Sequence, residues 1–372
     1  MIEVAVADGG DNRGLLERLF AEGLICLQRG RLFDEQPAAL PAGFGWDPVD
    51  GMLLGLAIGD ALGNPTESML PAKRRVVCGE IRDYLPHHKY GTVASPSDDT
   101  QLAFWTLDQL LLDGGLVPER VAQRFARERI FGGGSATRDA LDWVRRGDAP
   151  WYECGSPSAG NGGLMRIAPV LVPYVRSPSP ALWADTALCA IVTHNDPAST
   201  SACLAWVAML WDLLAMEAPP EPDWWRRRYV ELARDLEGET EYGVRGGRFE
   251  GWRGPLWRFV EERLADAWRR DLSVFEACDE WYSGAYLLET MPSVLYTLMR
   301  HGADPEEAVV RAVNDTKDND SVAAIVGAAA GALHGAAALP RRWVEGLPGR
   351  TRADDDGEVQ RIVAAARGRW GG

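Results

Sequence analysis

The chain has 372 residues, 46% of them hydrophobic and 25% charged, with a formal net charge of −15 and a pI near 4.9. That length leaves ample apolar material for a buried core. The acidic balance argues against a broad phosphate-gripping surface for nucleic acid. Cys26, Cys78, Cys154, Cys189, Cys203 and Cys278 show no paired short spacing, so zinc and redox motifs are not expected and the thiols fit packing roles in a reduced, cytoplasmic protein.

Glu3 and Asp8 precede any long apolar run, so no secretory signal is expected. Leu15, Leu16, Leu19, Phe20 and Leu24 form one stripe, predicting a helix over 14–28, and Pro37, Pro41 and the glycines at 43 and 45 then break regular structure. This places an N-terminal extension at 1–45, a main domain at 46–340 and a C-terminal segment at 341–372, packed on the domain or trailing it. Within the main domain, Gly51, Gly55, Gly59 and Gly63 recur every four residues and fall on one narrow helical face. A second helical run repeats the pattern at Gly327, Gly331 and Gly335. Glycine lowers helix propensity but admits close backbone approach, so the two faces are expected to pack together and to carry Asp60 and Glu67 toward residues 318–321. Ser321 to Leu339 has no charged residue apart from His334, yet its alanines and glycines suit a packed core helix better than a membrane span.

Ser97-Asp98-Asp99-Thr100-Gln101 opens an apolar helical run that ends near Gly114 and Gly115. Its ordinary reading is a serine cap followed by acidic residues at the positive end of the helix dipole. Asp318-Asn319-Asp320-Ser321 opens the later run in the same way, and two such starts invite a hard cation, Mg²⁺ or Mn²⁺, held by oxygens. A Pro/Lys/Arg/Gly-containing connection is expected between Glu67 and Ser97. Helices follow Pro118 and span Thr137 to Arg146, with Phe131 and the glycines to 134 as a breaker. Gly160-Asn161-Gly162-Gly163-Leu164-Met165-Arg166 can expose backbone N–H groups to a pyrophosphate, with Arg166 free to pair with an acid, although it lacks the GK[ST] ending of a nucleotide P-loop. Buried helices are expected at 182–192 and 198–216 around His194, which is either a carbonyl cap or a substrate contact. Peripheral amphipathic helices are expected across the tryptophan-rich 217–280 segment. Pro292 is placed in the first turn of a further helix. Strand patterns are scarce, and the whole predicts a large all-α domain.

Five stretches in order, GMLLGLAIGDALGNPTE at 51–67, SDDTQ at 97–101, GNGGLMRIAP at 160–169, THNDP at 193–197 and KDNDSVAAIVGAAAGALHG at 317–335, resemble the ADP-ribosylglycohydrolase family, which includes dinitrogenase-reductase-activating glycohydrolase. The resemblance covers roughly 46–338. It implies an orthogonal multi-helix fold with two Mg²⁺ or Mn²⁺ ions, Ser97, Asp98 and Asp99 supplying one ligand set and Asp318, Asp320 and Ser321 the other. Asn319 matches a variable position. Glu67 would lie near the scissile ribose, Gly160, Asn161, Gly162, Gly163 and Leu164 would cradle the pyrophosphate, His194 would approach the ribose, and Phe131 and Tyr286 are further nucleotide contacts. The family's GGDTDT is replaced by Thr316-Lys317-Asp318-Asn319-Asp320-Ser321, so Lys317 is a candidate for altering substrate choice. The implied reaction is hydrolysis at C1 of an ADP-ribosyl group on a protein or small molecule, with Asp98, Asp99 or Glu67 nearest the attacking water. A metal-dependent pyrophosphate hydrolase and an ADP-ribose-binding module without turnover are the alternatives.

Overall fold

A computed structural model describes residues 11–87 and 92–372; Glu3 and Asp8 lie outside the described residues. Among the described residues the regular structure is helical apart from three isolated bridges and one pair of two-residue strands, in which Tyr242 pairs with Gly254 and Gly243 with Arg253. Six helices shape the functional region and are labelled in chain order: α1 (Asp47–Gly63), α2 (Asp98–Asp113), α3 (Ser135–Arg146), α4 (Pro197–Ala215), α5 (Leu287–His301) and α6 (Asn319–His334).

The pairing of α1 with α6 is the most extensive helix contact in the fold. A Cβ at Gly55 would run into the carbonyl of Gly327, and one at Gly327 into the carbonyl of Gly55. Gly51 and Gly331 oppose each other in the same reciprocal way, and Gly59 meets the carbonyl of Ala323. The cost of these glycines to helix propensity, roughly 1 kcal/mol each, is offset by backbone contact that no side chain would permit. The four-residue glycine spacing thus has its physical cause. Leu53, Leu56, Ile58, Val322, Ile325 and Val326 are buried around this seam.

Several expectations are adjusted. The first helix runs Asn12–Glu22, because Gly23 takes the left-handed conformation and closes it early. A helix, Pro71–Cys78, interrupts the connection after Glu67. Pro292 lies inside α5 rather than in its first turn, since the helix already starts at Leu287. The 217–280 segment does form helices, at Pro222–Glu237, Leu256–Arg269 and Val274–Glu280. It is not wholly peripheral, because Trp225 and Trp257 are buried. All six cysteines are free thiols. Among the described residues one helix, α4, is long and apolar enough to cross a membrane, and 89% of its apolar window is buried inside the fold. The last helix, Glu358–Trp370, packs on α1 and α2, while Gln101 donates to the Thr351 carbonyl over 2.7 Å.

Candidate active site

The acidic centre lies where the N-termini of α2 and α6 meet the C-terminal end of α1. Ser97 caps α2 by accepting from the Asp99 amide at 3.2 Å, and its hydroxyl donates to Asp99 Oδ2 at 2.8 Å. Asp60, fully buried on α1, accepts from the Ser97 amide at 2.9 Å and 3.0 Å and from the Thr100 amide at 3.0 Å; the Thr100 hydroxyl donates to it as well. Asp60 therefore fixes the start of α2 to α1. A Cβ at Gly63 would meet the backbone of Asn319 and Asp320, so the glycine seam also sets the position of the α6 N-terminus.

Asp318 is the N-cap residue of α6, yet its side chain makes no capping bond. Its Oδ2 instead accepts from Asn161 Nδ2 at 2.6 Å. Asn319 turns inward, donating to the carbonyls of Gly63 and Val313 and to Thr66 Oγ1, a bracing role that accounts for its absence from the acidic set. Asp60, Asp99 and Asp320 offer oxygens within 4.8 Å of one another, as do Glu67, Asp318 and Asp320. Asp60 already engages three donor groups through four contacts on its two oxygens, so it is better suited to supporting the centre than to ligating directly.

Burial, followed by repulsion from Asp60, Glu67 and Asp318, pushes the Asp98 carboxyl up to about 8. Burial likewise raises Asp318 to about 6, opposed by the Asn161 hydrogen bond, and raises Asp99 and Asp320, whose neighbours are again carboxylates. Asp99 Oδ1 is buried with no hydrogen-bond partner. Crowded carboxylates with a buried, unsatisfied oxygen, flanked by the hydroxyls of Ser97 and Ser321, are chemically suited to a hard divalent cation.

Arg74 was not singled out by the sequence, but it holds two parts of this site together. Fully buried, it donates to Thr66 Oγ1 at 3.0 Å, to the Met69 carbonyl at 2.9 Å and to the Thr316 carbonyl at 2.7 Å. Burial pushes its pKa down to about 10. The loop bearing Glu67 is thereby fastened to the segment leading into Asp318.

A cleft of about 240 Å³ opens above the carboxylates, lined by Glu67, Asp98, Asp99, Asp318, Asp320 and Ser321 together with Gly160, Asn161, Gly162 and His194. The glycine loop is held by Asn161 N–H donating to the Ala285 carbonyl at 3.1 Å and Leu287 N–H donating to that of Ala159 at 2.9 Å. A Cβ at Gly162 would stand 2.7 Å from His194 Cε1, so the close seating of the imidazole requires glycine there. Burial, reinforced by the Arg166 charge, lowers His194 to about 3, and the ring is neutral. Arg166 donates to Thr193 Oγ1 at 2.7 Å, and that hydroxyl lies 3.0 Å from His194 Nδ1. With its oxygen accepting from Arg166, the Thr193 hydroxyl can donate a hydrogen bond to an unprotonated Nδ1, which leaves the ring hydrogen on Nε2, facing the glycine loop.

Arg166 is corrected from its expected role: it is fully buried, donating to Thr193 and the Cys189 carbonyl and lying over the Phe125 ring, rather than pairing with an acid. The Leu164 side chain is in the core, and Gly163 is packed near Cys203 and Ser199. Phe131 faces a neighbouring groove with Arg129, Arg350 and Arg352, while Gly132 and Gly134 from the same loop line the acidic cleft. Tyr286 pairs with Gly160 in an isolated bridge, its ring lying under Arg245. Lys317 Nζ donates to the Tyr282 hydroxyl at 2.7 Å. Besides Arg74 and the capping role of Asp60, Arg245 is a cleft residue that sequence patterning did not find, since a lone arginine in a charged segment carries no periodic signal.

Residues 47–371 match the family model described as ADP-ribosylglycohydrolase, and the chain belongs to that family. It is 28% identical to an ADP-ribosylarginine hydrolase of Pseudomonas putida over 80% of this chain and 74% of the relative. It is 24% identical to the ADP-ribosyl-[dinitrogen reductase] glycohydrolase of Rhodospirillum rubrum over 86% of this chain and 97% of the relative. A solved ADP-ribosylglycohydrolase-related protein complex superposes with a TM-score of 0.64 at 26% identity, covering 88% of this chain and 99% of the solved one.

Proposed function

We propose that this enzyme hydrolyses the bond between C1 of an ADP-ribosyl ribose and its acceptor, releasing ADP-ribose from a modified protein or small molecule. The observation carrying this reading is the meeting of Glu67, Asp98, Asp99, Asp318 and Asp320 in one cleft with the glycine loop and His194. Asp98, Asp99, Asp318 and Asp320 would hold two divalent cations, Mg²⁺ or Mn²⁺, with Ser97 and Ser321 completing the sets. Such ions supply charge that fixes ribose hydroxyls and lowers the pKa of water.

The chain's own groups divide the remaining work. Asp98 and Glu67 reach the cleft from different elements, where a carboxylate can orient water or accept its proton as C1 acquires oxocarbenium character. His194 can donate from Nε2 to a ribose or phosphate oxygen. The backbone of Gly160 to Gly163 can approach the pyrophosphate closely, with Tyr286 backing Gly160 and Phe131 in the adjoining groove, where each would meet only a part of the nucleotide that extends beyond the acidic cleft.

Product analysis across a panel of ADP-ribosylated proteins, nucleic acids and small molecules, with Mg²⁺ or Mn²⁺ added, tests the reading. Free ADP-ribose is expected. AMP with ribose phosphate would instead mark a pyrophosphate hydrolase, and retained ADP-ribose binding without turnover on the whole panel would mark a binding module.

A further inference from the structure

We propose that Arg245 is the residue that makes this cleft selective for a diphosphate-bearing ribosyl group, by clamping a phosphate of the substrate against the glycine loop; the inference rests on the function proposed above. Its starting point is charge. The cleft lining includes five carboxylates, those of Glu67, Asp98, Asp99, Asp318 and Asp320, and the neutral imidazole of His194. Arg245 is the one cationic side chain among the described lining residues. A pyrophosphate entering this cleft gains a charge-assisted contact only there, beyond what neutral backbone groups and bound cations offer.

The guanidinium is presented by a built support. Tyr242, three residues earlier, donates its hydroxyl to Asp196 at 3.0 Å and 3.1 Å and accepts from the Ala198 amide at 3.2 Å, which docks the hairpin on the N-terminus of α4. Three residues later the Arg248 amide donates to the Glu280 carbonyl at 2.6 Å. Between these anchors Arg245 lies 4.0 Å from the centroid of the Tyr286 ring, and its Nε is 3.8 Å from Glu289 Oε1. Tyr286 in turn pairs with Gly160, so the stacked arginine stands beside the loop expected to approach the pyrophosphate.

The same contacts leave the guanidinium available. Its side chain is 59% exposed, and 3.8 Å to Glu289 is beyond hydrogen-bond reach. A ring face and one distant carboxylate orient the fork without occupying its donors, and an arginine held in this way suits bidentate phosphate recognition. Lysine at this position would keep the charge but lose both the stack and the fork.

The test uses the full-length protein and measures competitive inhibition constants for ADP-ribose, AMP and adenosine, together with KM and kcat on an ADP-ribosylated substrate. For Arg245→Ala, ADP-ribose should bind at least tenfold more weakly, adenosine should change less than twofold, and KM should rise with kcat within threefold of the parent. Arg245→Lys should fall between. An equal loss for ADP-ribose and adenosine, or unchanged ADP-ribose binding, would overturn the assignment. So would recovery of ADP-ribose affinity in the Arg245→Ala, Glu289→Gln double variant, since the arginine would then serve only to neutralise Glu289. Failure of the parent protein to bind ADP-ribose would overturn the functional reading itself, an outcome distinct from a variant that binds as well as the parent.

Discussion

Asn161 Nδ2 donates to Asp318 Oδ2 over 2.6 Å, joining the glycine loop to the N-cap residue of α6. Because Asn161 also lines the cleft, one side chain couples the proposed phosphate cradle to the proposed cation centre. Asn161→Leu should weaken Mg²⁺ or Mn²⁺ affinity by roughly 10- to 100-fold, the usual consequence of losing an outer hydrogen bond to a ligand. Calorimetric titration of the variant against parent would show it, and unchanged affinity would detach Asp318 from the centre.

The glycine seam predicts a stability effect with a built-in control. Gly55→Ala or Gly331→Ala drives a methyl into an opposing carbonyl, and forced overpacking costs about 1–3 kcal/mol even where side chains can yield. Backbone yields less, so each variant should lose at least ~3 kcal/mol in denaturant unfolding, the upper end of that range. Gly115→Ala has nothing within 4 Å of the added Cβ and should be neutral. A silent Gly55→Ala would remove the seam as the device that sets the α6 N-terminus.

Arg74→Met would leave the carbonyls of Thr316, Thr66 and Met69 without their buried donor. Orphaned buried groups of this kind cost about 1–3 kcal/mol each at most, so a clear fall in melting temperature is expected. Divalent-cation affinity should fall too, because the loop bearing Glu67 loses its attachment to the segment before Asp318.

The centre also predicts the pH dependence of the protein stripped with EDTA. Asp98 and Asp318 have folded-state values raised to about 8 and about 6 from 3.8. Between those limits the folded state binds more protons than the unfolded one, so stability falls as pH rises. The stripped protein should melt higher at pH 5 than at pH 8. Asp98→Asn should raise the melting temperature at pH 8 and leave it nearly unchanged at pH 5, where Asp98 is already neutral. Saturating Mg²⁺ or Mn²⁺ should flatten the parent's profile. A parent that gains stability from pH 5 to pH 8 without cation would contradict the raised values.

Much of this was legible in the sequence because it is periodic or local. Gly51, Gly55 and Gly59 repeat at the helical interval and meet the matching face of α6, while Ser97 and Asp99 form a cap whose parts are two residues apart. Arg74 and Arg245 act through partners up to 242 and 44 residues away respectively, and nothing in their neighbours distinguishes them from surface arginines. Arg166 misleads for the same reason: its position beside a glycine loop suggested anion pairing, but helix packing turned it toward Thr193 and Cys189. Pro292 was misplaced because a proline inside a helix and one in its first turn differ only by where the helix begins, and Tyr286 as N-cap set that start earlier.

The central claim is that the carboxylates at the starts of α2 and α6 form one hydrolytic centre. Its most direct measurement is ADP-ribose release from an ADP-ribosylated substrate by parent, Asp99→Asn and Asp320→Asn, each stripped with EDTA and resupplied with Mg²⁺ or Mn²⁺. The parent should lose activity on stripping and regain it on resupply, while both variants stay folded by circular dichroism and release ADP-ribose at least ~100-fold more slowly, within the range over which metal activation and acid–base assistance act. Parent-like turnover in either variant, or parent activity indifferent to EDTA, would contradict it.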